Sequence, residues 1–187
     1  MPAPKIRDTK LRDYAAQNPS AHGGALQNTR RGRERRRPLN SVQSVHLTLR
    51  SSQAKGAQSF RRPQHRARIQ QLVQRYSKKF LVRVHSMANV SNHLHLHIKL
   101  GHERNYKKFI RALTAAIAMH IQQTGKGRPA SAKFWDLRPF TRLVQSLRQF
   151  SRLETYIEIN ELEGYGVPRA TARWYLDWCK RGKPVWG

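Results

Sequence analysis

The eight residues HLHLHIKL, His93 to Leu100, constrain the fold more than any other stretch, because an apolar side chain falls at every second position. A period of two belongs to a β-strand, whose successive side chains point to opposite faces. Leu94, Leu96 and Ile98 therefore share one face, and His93, His95 and His97 the other. SVQSVHLTLR repeats the pattern, setting Val45, Leu47 and Leu49 against Ser44, His46 and Thr48. FLVRVHSM alternates as well, with Leu81 and Arg83 against Val82 and Val84. The short turn ANVSN joins it to the histidine strand, so 80–88 and 92–100 are expected to form a hairpin with the histidines in the sheet centre.

The segments between the strands have the helical period. QHRARIQQLVQRYSKKF spaces Ile69, Leu72, Val73, Tyr76 and Phe80 along one face, and ERNYKKFIRALTAAIAMHIQQTG does the same with Tyr106, Phe109, Ile110, Leu113, Ile117 and Ile121. Gly125 is the stop signal of the second helix. KFWDLRPFTRLV reads as a strand interrupted at Pro139, which suits an edge or a bulge. SLRQFSRLETYIEINELEG closes the pattern as a helix, with Leu147, Phe150, Leu153, Ile157 and Asn160 along one side. The order predicts an α+β chain: a ferredoxin-like β-α-β-β-α-β antiparallel sheet with helices on one face and an added C-terminal helix. There is no internal repeat.

The pattern leaves three regions. Residues 1–37 are expected to be a disordered basic tail ending in RRGRERRRP, which either clings to phosphates or serves only solubility. Residues 38–168 are the folded domain. Residues 169–187, with Trp174, Tyr175, Trp178 and Trp186, read as an aromatic docking segment.

Charge narrows the partners. In 187 residues, 37 Lys and Arg face 10 acids, a formal +27. The tail holds ten of those cations and three of the acids (Asp8, Asp13, Glu34), so the folded part is strongly basic by itself. A nucleic acid is the partner this balance favours. Arg61, Arg62, His65, Arg66 and Arg68 beside the first helix, Lys107, Lys108 and Arg111 on the second, and Arg138, Arg142, Arg148 and Arg152 near the last are the candidate DNA-binding residues. Trp135 and Trp174 are either base-stacking platforms or core and docking residues. The lone Cys179 excludes an intramolecular disulfide and a Cys-rich zinc module. No apolar run reaches the ~18 residues of a membrane span, and the first residues lack a signal-peptide core, so a cytoplasmic, nucleoid-associated protein without membrane contact is expected.

The chemistry depends on the histidines. Two imidazoles on one strand face can hold a divalent metal, but an alternating pair on a solvent-facing strand is commonplace among nine histidines. In LETYIEIN, Tyr156 and Asn160 lie four residues apart and share a helix face. A tyrosine hydroxyl can serve as a nucleophile, and an Asn carbonyl one turn away can complete a metal's coordination. Against this stands an ordinary half-buried aromatic with its hydroxyl at the rim. Glu154, Glu158, Glu161 and Glu163 crowd the same helix, for metal attraction or for ion pairs with Arg.

NHLHL followed by YIEIN resembles the HUH single-tyrosine transposases, above all the REP-associated tyrosine transposases with an IS200-like domain. VHLTLR and FWDLRPFTRLV are also similar to family segments at those places, and the resemblance spans about residues 38–168. It implies Tyr156 as nucleophile, with His93, His95 and Asn160 as ligands of Mg2+ or Mn2+. His97 and Glu158 would be second-layer residues. It further implies single-stranded DNA, with a hairpin, as substrate, a 5′-phosphotyrosine intermediate, and a homodimer. Ser91 stands where the family has Pro before the Asn, and Glu161 follows Asn160 where Pro is frequent. A DNA-binding descendant without strand transfer shares the fold and grip, and a basic RNA-binding or ribosome-associated protein shares the charge. A relaxase or replication initiator shares the chemistry, usually within a longer chain.

Overall fold

The computed structural model describes residues 18–24, 37–123 and 133–180. Five strands form one antiparallel sheet: β1 (Ala21–His22), β2 (Ser44–Arg50), β3 (Val82–Val90), β4 (His93–Leu100) and β5 (Phe140–Val144). Their order across the sheet is β1-β5-β2-β4-β3. The last four are the ferredoxin-like sheet expected from sequence, with β4 central between β2 and β3.

Helices α1 (Pro63–Lys79) and α2 (Asn105–Ile121) cover one face. Their apolar stripes meet Val45, Leu47, Leu49, Leu94, Leu96 and Ile98 in one core, with Phe60, Phe109, Leu113 and Ile117 fully buried. Near complete removal of such side chains from water stabilises the domain by about 1.5–3 kcal/mol each. The histidine face is covered too. Helix α3 (Leu147–Gly164) packs on β3 and β4, and α4 (Arg169–Lys180) lies along α3. The sheet is thus sandwiched, not open on one side. His95 and His97 are consequently buried and not solvent-facing.

Three elements differ from their expected extents. The β3–β4 hairpin closes through Ser91 and Asn92 alone, so Ala88, Asn89 and Val90 belong to β3 and pair with His95, Leu94 and His93. A register shift between Val84 and Ser86 inserts His85 as an extra residue. The strand expected across KFWDLRPFTRLV is only β5, Phe140–Val144. Phe134 and Trp135 both pack around Phe60, which strict alternation forbids, and Pro139 has no N–H to pair. Leu147, on the expected apolar side of α3, is 89% exposed, whereas Phe150 of the same turn packs on His85 and His97.

Part of the expected tail is ordered. Ala21 and His22 pair with Arg142 and Thr141 of β5. The Arg37 guanidinium clamps this edge, donating to Pro139 O (2.9 Å) and Thr141 Oγ1 (2.5 Å). Gly23 follows with φ +85°, where a Cβ would sit 2.2 Å from Pro139 O, so only glycine fits. The rest of residues 1–37, residues 124–132 (with the expected helix stop at Gly125) and Trp186 lie outside the described residues.

Candidate active site

Strand register assembles the site. On β4, His95 faces Thr48 of β2 and Ala88 of β3, and these small neighbours leave room above its ring. Tyr156 of α3 fills that room, its ring centroid 5.3 Å from that of His95 and nearly perpendicular to it. His46 stands diagonally across from His95 and also meets the tyrosine ring, at 5.9 Å. Tyr156 remains about one-third exposed, so a substrate can approach its phenol.

The two ring nitrogens of His95 differ. Nδ1 lies 3.1 Å from His46 Nε2 and 3.2 Å from Thr48 Oγ1, whereas Nε2 is buried without a partner. Burial, then His46 and His93, push His95 down to about 3; burial, then His97 and Arg142, push His46 down to about 4. Both rings are therefore neutral near pH 7 and carry lone pairs. On His93, Nδ1 donates to Asn92 Oδ1 at 2.7 Å, which leaves the lone pair on Nε2. Burial and Arg50 lower its proton affinity, and Glu163 opposes them.

Asn160 is buried one turn beyond Tyr156 and donates from Nδ2 to Tyr156 O at 2.6 Å, so its amide oxygen is the end left for a ligand. The donors suit a divalent ion: an orphaned imidazole nitrogen, a second imidazole oriented by an outer hydrogen bond, and an amide oxygen. Among the described residues, no cluster of three or more His, Cys, Asp or Glu that could hold a metal is present.

A sequence model of the family described as "Transposase IS200 like" matches residues 42–160, from just before β2 through Asn160. The chain belongs to the IS200-like transposase family. A solved REP-associated tyrosine transposase bound to a REP hairpin shares this transposase's fold, with TM-score 0.54 and 11% identity over 71% of this chain and 74% of that one. A candidate transposase of Deinococcus radiodurans overlaps at TM-score 0.42 and 14% identity, over 71% and 97% of the two chains. No curated protein matches the sequence.

The transposase fold sorts the remaining candidates. His97 has both nitrogens occupied, by Glu154 and by Ser44 Oγ (2.7 Å), and is fully buried. It supports the sheet beneath α3 and has no nitrogen left for a ligand. The carboxylate that reaches the histidine strand is Glu154, which also accepts from Ser86 Oγ at 2.6 Å; Glu158 is exposed. Glu161 pairs with Arg66 and accepts from Asn89 N, and Glu163 pairs with Arg169 at 2.6 Å. The acidic crowding on α3 thus serves mainly ion pairs.

Of the candidate DNA-binding residues, Arg142 and Arg152 line a cleft of about 360 Å³ beside Tyr156, together with His46, Phe140, Gln149 and Leu153. Arg61, Arg62, Arg68, Arg138 and Arg148 are exposed. Lys107, Lys108 and Arg111 are exposed on α2, in the layer on the opposite side of the sheet from Tyr156. Arg66 is held between Glu161 and the Tyr165 ring (3.6 Å), and His65 is buried against His120 and Ala57 O. His65 is an interior residue, and Arg66 is partly buried with its guanidinium already paired. Trp135 donates to Thr114 O and packs on Phe60, a core role, whereas Trp174 is exposed on α4. Two site residues escaped the sequence reading. His46 was visible as a polar position of β2, but only register places it beside His95. Arg169, whose guanidinium lies 6.0 Å from the Tyr156 ring centre, begins a helix with no local motif. Among the described residues, no helix is long and apolar enough to cross a membrane.

Proposed function

We propose that this transposase cleaves and rejoins single-stranded DNA through a covalent 5′-phosphotyrosine link at Tyr156, with Mg2+ or Mn2+ held by His93, His95 and Asn160. The observation that carries the reading is a partly exposed phenol packed over a neutral imidazole whose Nε2 is buried and unpartnered. A bound divalent ion supplies Lewis acidity toward the scissile phosphate.

The protein's own groups do the rest. The Tyr156 oxygen forms a bond to phosphorus as the bond from phosphorus to the 3′-oxygen breaks, and the phenol's proton ends on the released 3′-hydroxyl. One ester replaces another, so attack by a 3′-hydroxyl reverses the step without ATP. Arg142 and Arg152 face phosphates along the cleft, and its apolar wall of Phe140, Leu143 and Leu153 offers a nucleotide a surface away from water. The cleft volume lies within the range of small-ligand sites and has room for one nucleotide. The hairpin bound by the similar REP transposase makes a hairpin-bearing strand the proposed partner.

End-labelled single-stranded oligonucleotides from the flanks of the gene, incubated with the protein and Mn2+, test this on a denaturing gel. An adduct is expected that vanishes in Tyr156→Phe while native-gel binding persists. Tight binding with no adduct from the unmodified protein would instead identify a DNA-binding descendant with an idle site.

A further inference from the structure

We infer that His46 is a positioning residue that fixes the tautomer of His95, holding the proton on Nδ1 and so keeping a lone pair on the buried Nε2. The inference rests on the proposed reading of His95 as a ligand, but it concerns a residue that the motif of that site does not contain.

Three polar atoms form a closed triangle beneath Tyr156: His95 Nδ1, His46 Nε2 and Thr48 Oγ1, at 3.1, 3.2 and 3.4 Å from one another. Two proton arrangements suit the imidazole pair. In one, His95 Nδ1–H donates to the lone pair of His46 Nε2, and His46 carries its own proton on Nδ1. In the other, His46 Nε2–H donates to His95 Nδ1, which moves the His95 proton to Nε2. The second leaves a buried N–H with no acceptor and a nitrogen that cannot bind a cation. The first leaves a lone pair aimed where a cation can satisfy it.

Thr48 alone does not decide between them, because a hydroxyl donates as readily as it accepts. The Nε2 of a neutral His46 can likewise do either, but only the arrangement in which it accepts spares His95 a buried, unpartnered Nε2–H, and the surroundings of His46 hold its ring in place to accept. Its ring lies edge to edge with that of His95, 27° from parallel with centroids 5.3 Å apart, and meets Phe140 and Tyr156 edge-on at 6.3 and 5.9 Å. Packing on three rings leaves it little freedom to turn Nε2 away. The same ring lines the cleft beside Arg142, so it joins the metal-facing strand to the substrate-facing wall.

Mn2+ binding to the full-length chain, followed by electron paramagnetic resonance of the free ion, tests the inference on the unmodified protein, His46→Ala, His46→Gln and Thr48→Val. An outer hydrogen-bond partner of a ligating histidine typically contributes about 10- to 100-fold in metal affinity. His46→Ala should weaken Mn2+ binding by that factor, and Thr48→Val should change it by less than about 3-fold. His46→Gln, whose amide oxygen can accept from Nδ1, should recover much of the loss. In parallel, 15N chemical shifts of the His95 ring read its tautomer directly without metal. Nδ1–H is expected in the unmodified protein and a mixture in His46→Ala. His95 protonated on Nε2 in the unmodified protein overturns the inference, as does a His46→Ala variant with the same tautomer and affinity as the parent. Should the unmodified protein bind no Mn2+ while His95 shows Nδ1–H that becomes a mixture in His46→Ala, the metal reading fails and the role of His46 stands.

Discussion

Gly164 ends α3 against the backbone of β3, and its replacement by alanine sets two physical effects against each other. In an open helix the change would stabilise by up to about 1 kcal/mol, since glycine gives up more backbone freedom on folding. Here a Cβ at Gly164 would stand 2.5 Å from Asn89 O and 3.5 Å from Asn89 C. Carbon–oxygen contacts of this kind ordinarily lie at about 3.3–3.6 Å, so the helix end must lift by roughly 0.8 Å. Neither side yields easily. Asn89 is fully buried and held within β3, where its side chain donates to Phe60 O and its N–H to Glu161. Overpacking against rigid backbone costs about 1–3 kcal/mol, which exceeds the propensity gain. For a chain of this size, a net loss near 1 kcal/mol lowers Tm by about 2–4 °C. The lift also moves Asn160, one turn back, away from the histidine strand. Thermal unfolding followed by circular dichroism, with Mn2+ binding on the same samples, reads both consequences. A Gly164→Ala protein with unchanged or raised Tm would refute the close approach of α3 to β3 on which the site geometry depends.

Other outcomes follow from single contacts. Burial pushes Tyr106 up to about 12 from an ordinary 10, and its hydroxyl has no partner. Because the folded-state value is the higher one, this contribution to stability is complete below pH 10 and is lost as pH rises through 12, by about 2–3 kcal/mol. Tyr106→Phe should flatten that part of the urea-stability profile while leaving stability at pH 7 equal or slightly higher. Arg66→Ala removes the partner of Glu161 and should cost about 1–3 kcal/mol of folding stability with little change in DNA affinity, measured by urea melts and filter binding. Arg142→Ala and Arg152→Ala should do the reverse, each reducing the slope of log K against log salt by about 0.7 if it contacts one phosphate of a single strand. Lys107→Ala, on the far layer, should leave that slope nearly unchanged.

These contrasts also show which parts of the molecule the sequence discloses. β2 and β4 were legible because one face of each is uniformly apolar, and α1 and α2 because their stripes hold the helical period over several turns. The pairing of Tyr156 with His95 was legible through two short motifs. Features that depend on distant packing were not. β1 is two residues long, and its partner lies some 120 positions away, so no local pattern marks it; the Arg37 clamp is equally non-local. The choice of Glu154 over Glu158 as the carboxylate beneath α3 depends on the helix's rotation about its axis. The His85 insertion hides within a run that reads as plain alternation. Aromatic side chains in the C-terminal segment suggested docking, yet the residue of α4 that is fully buried is Ala172, whose small size lets the helix lie close to α3. Trp174 and Tyr175 remain outside, at 65% and 46% exposure.

The most direct test of the central claim is to locate the DNA on the protein. Adducts formed with single-stranded DNA and Mn2+ would be trimmed with nuclease, digested with trypsin and sequenced by mass spectrometry. Cleavage after Arg152 and Arg169 yields the peptide LETYIEINELEGYGVPR, which holds both Tyr156 and Tyr165. A nucleotide joined through its 5′-phosphate to Tyr156 is the predicted result. The same mass on Tyr165 or on any other residue, or DNA that binds without ever becoming attached, would contradict the account.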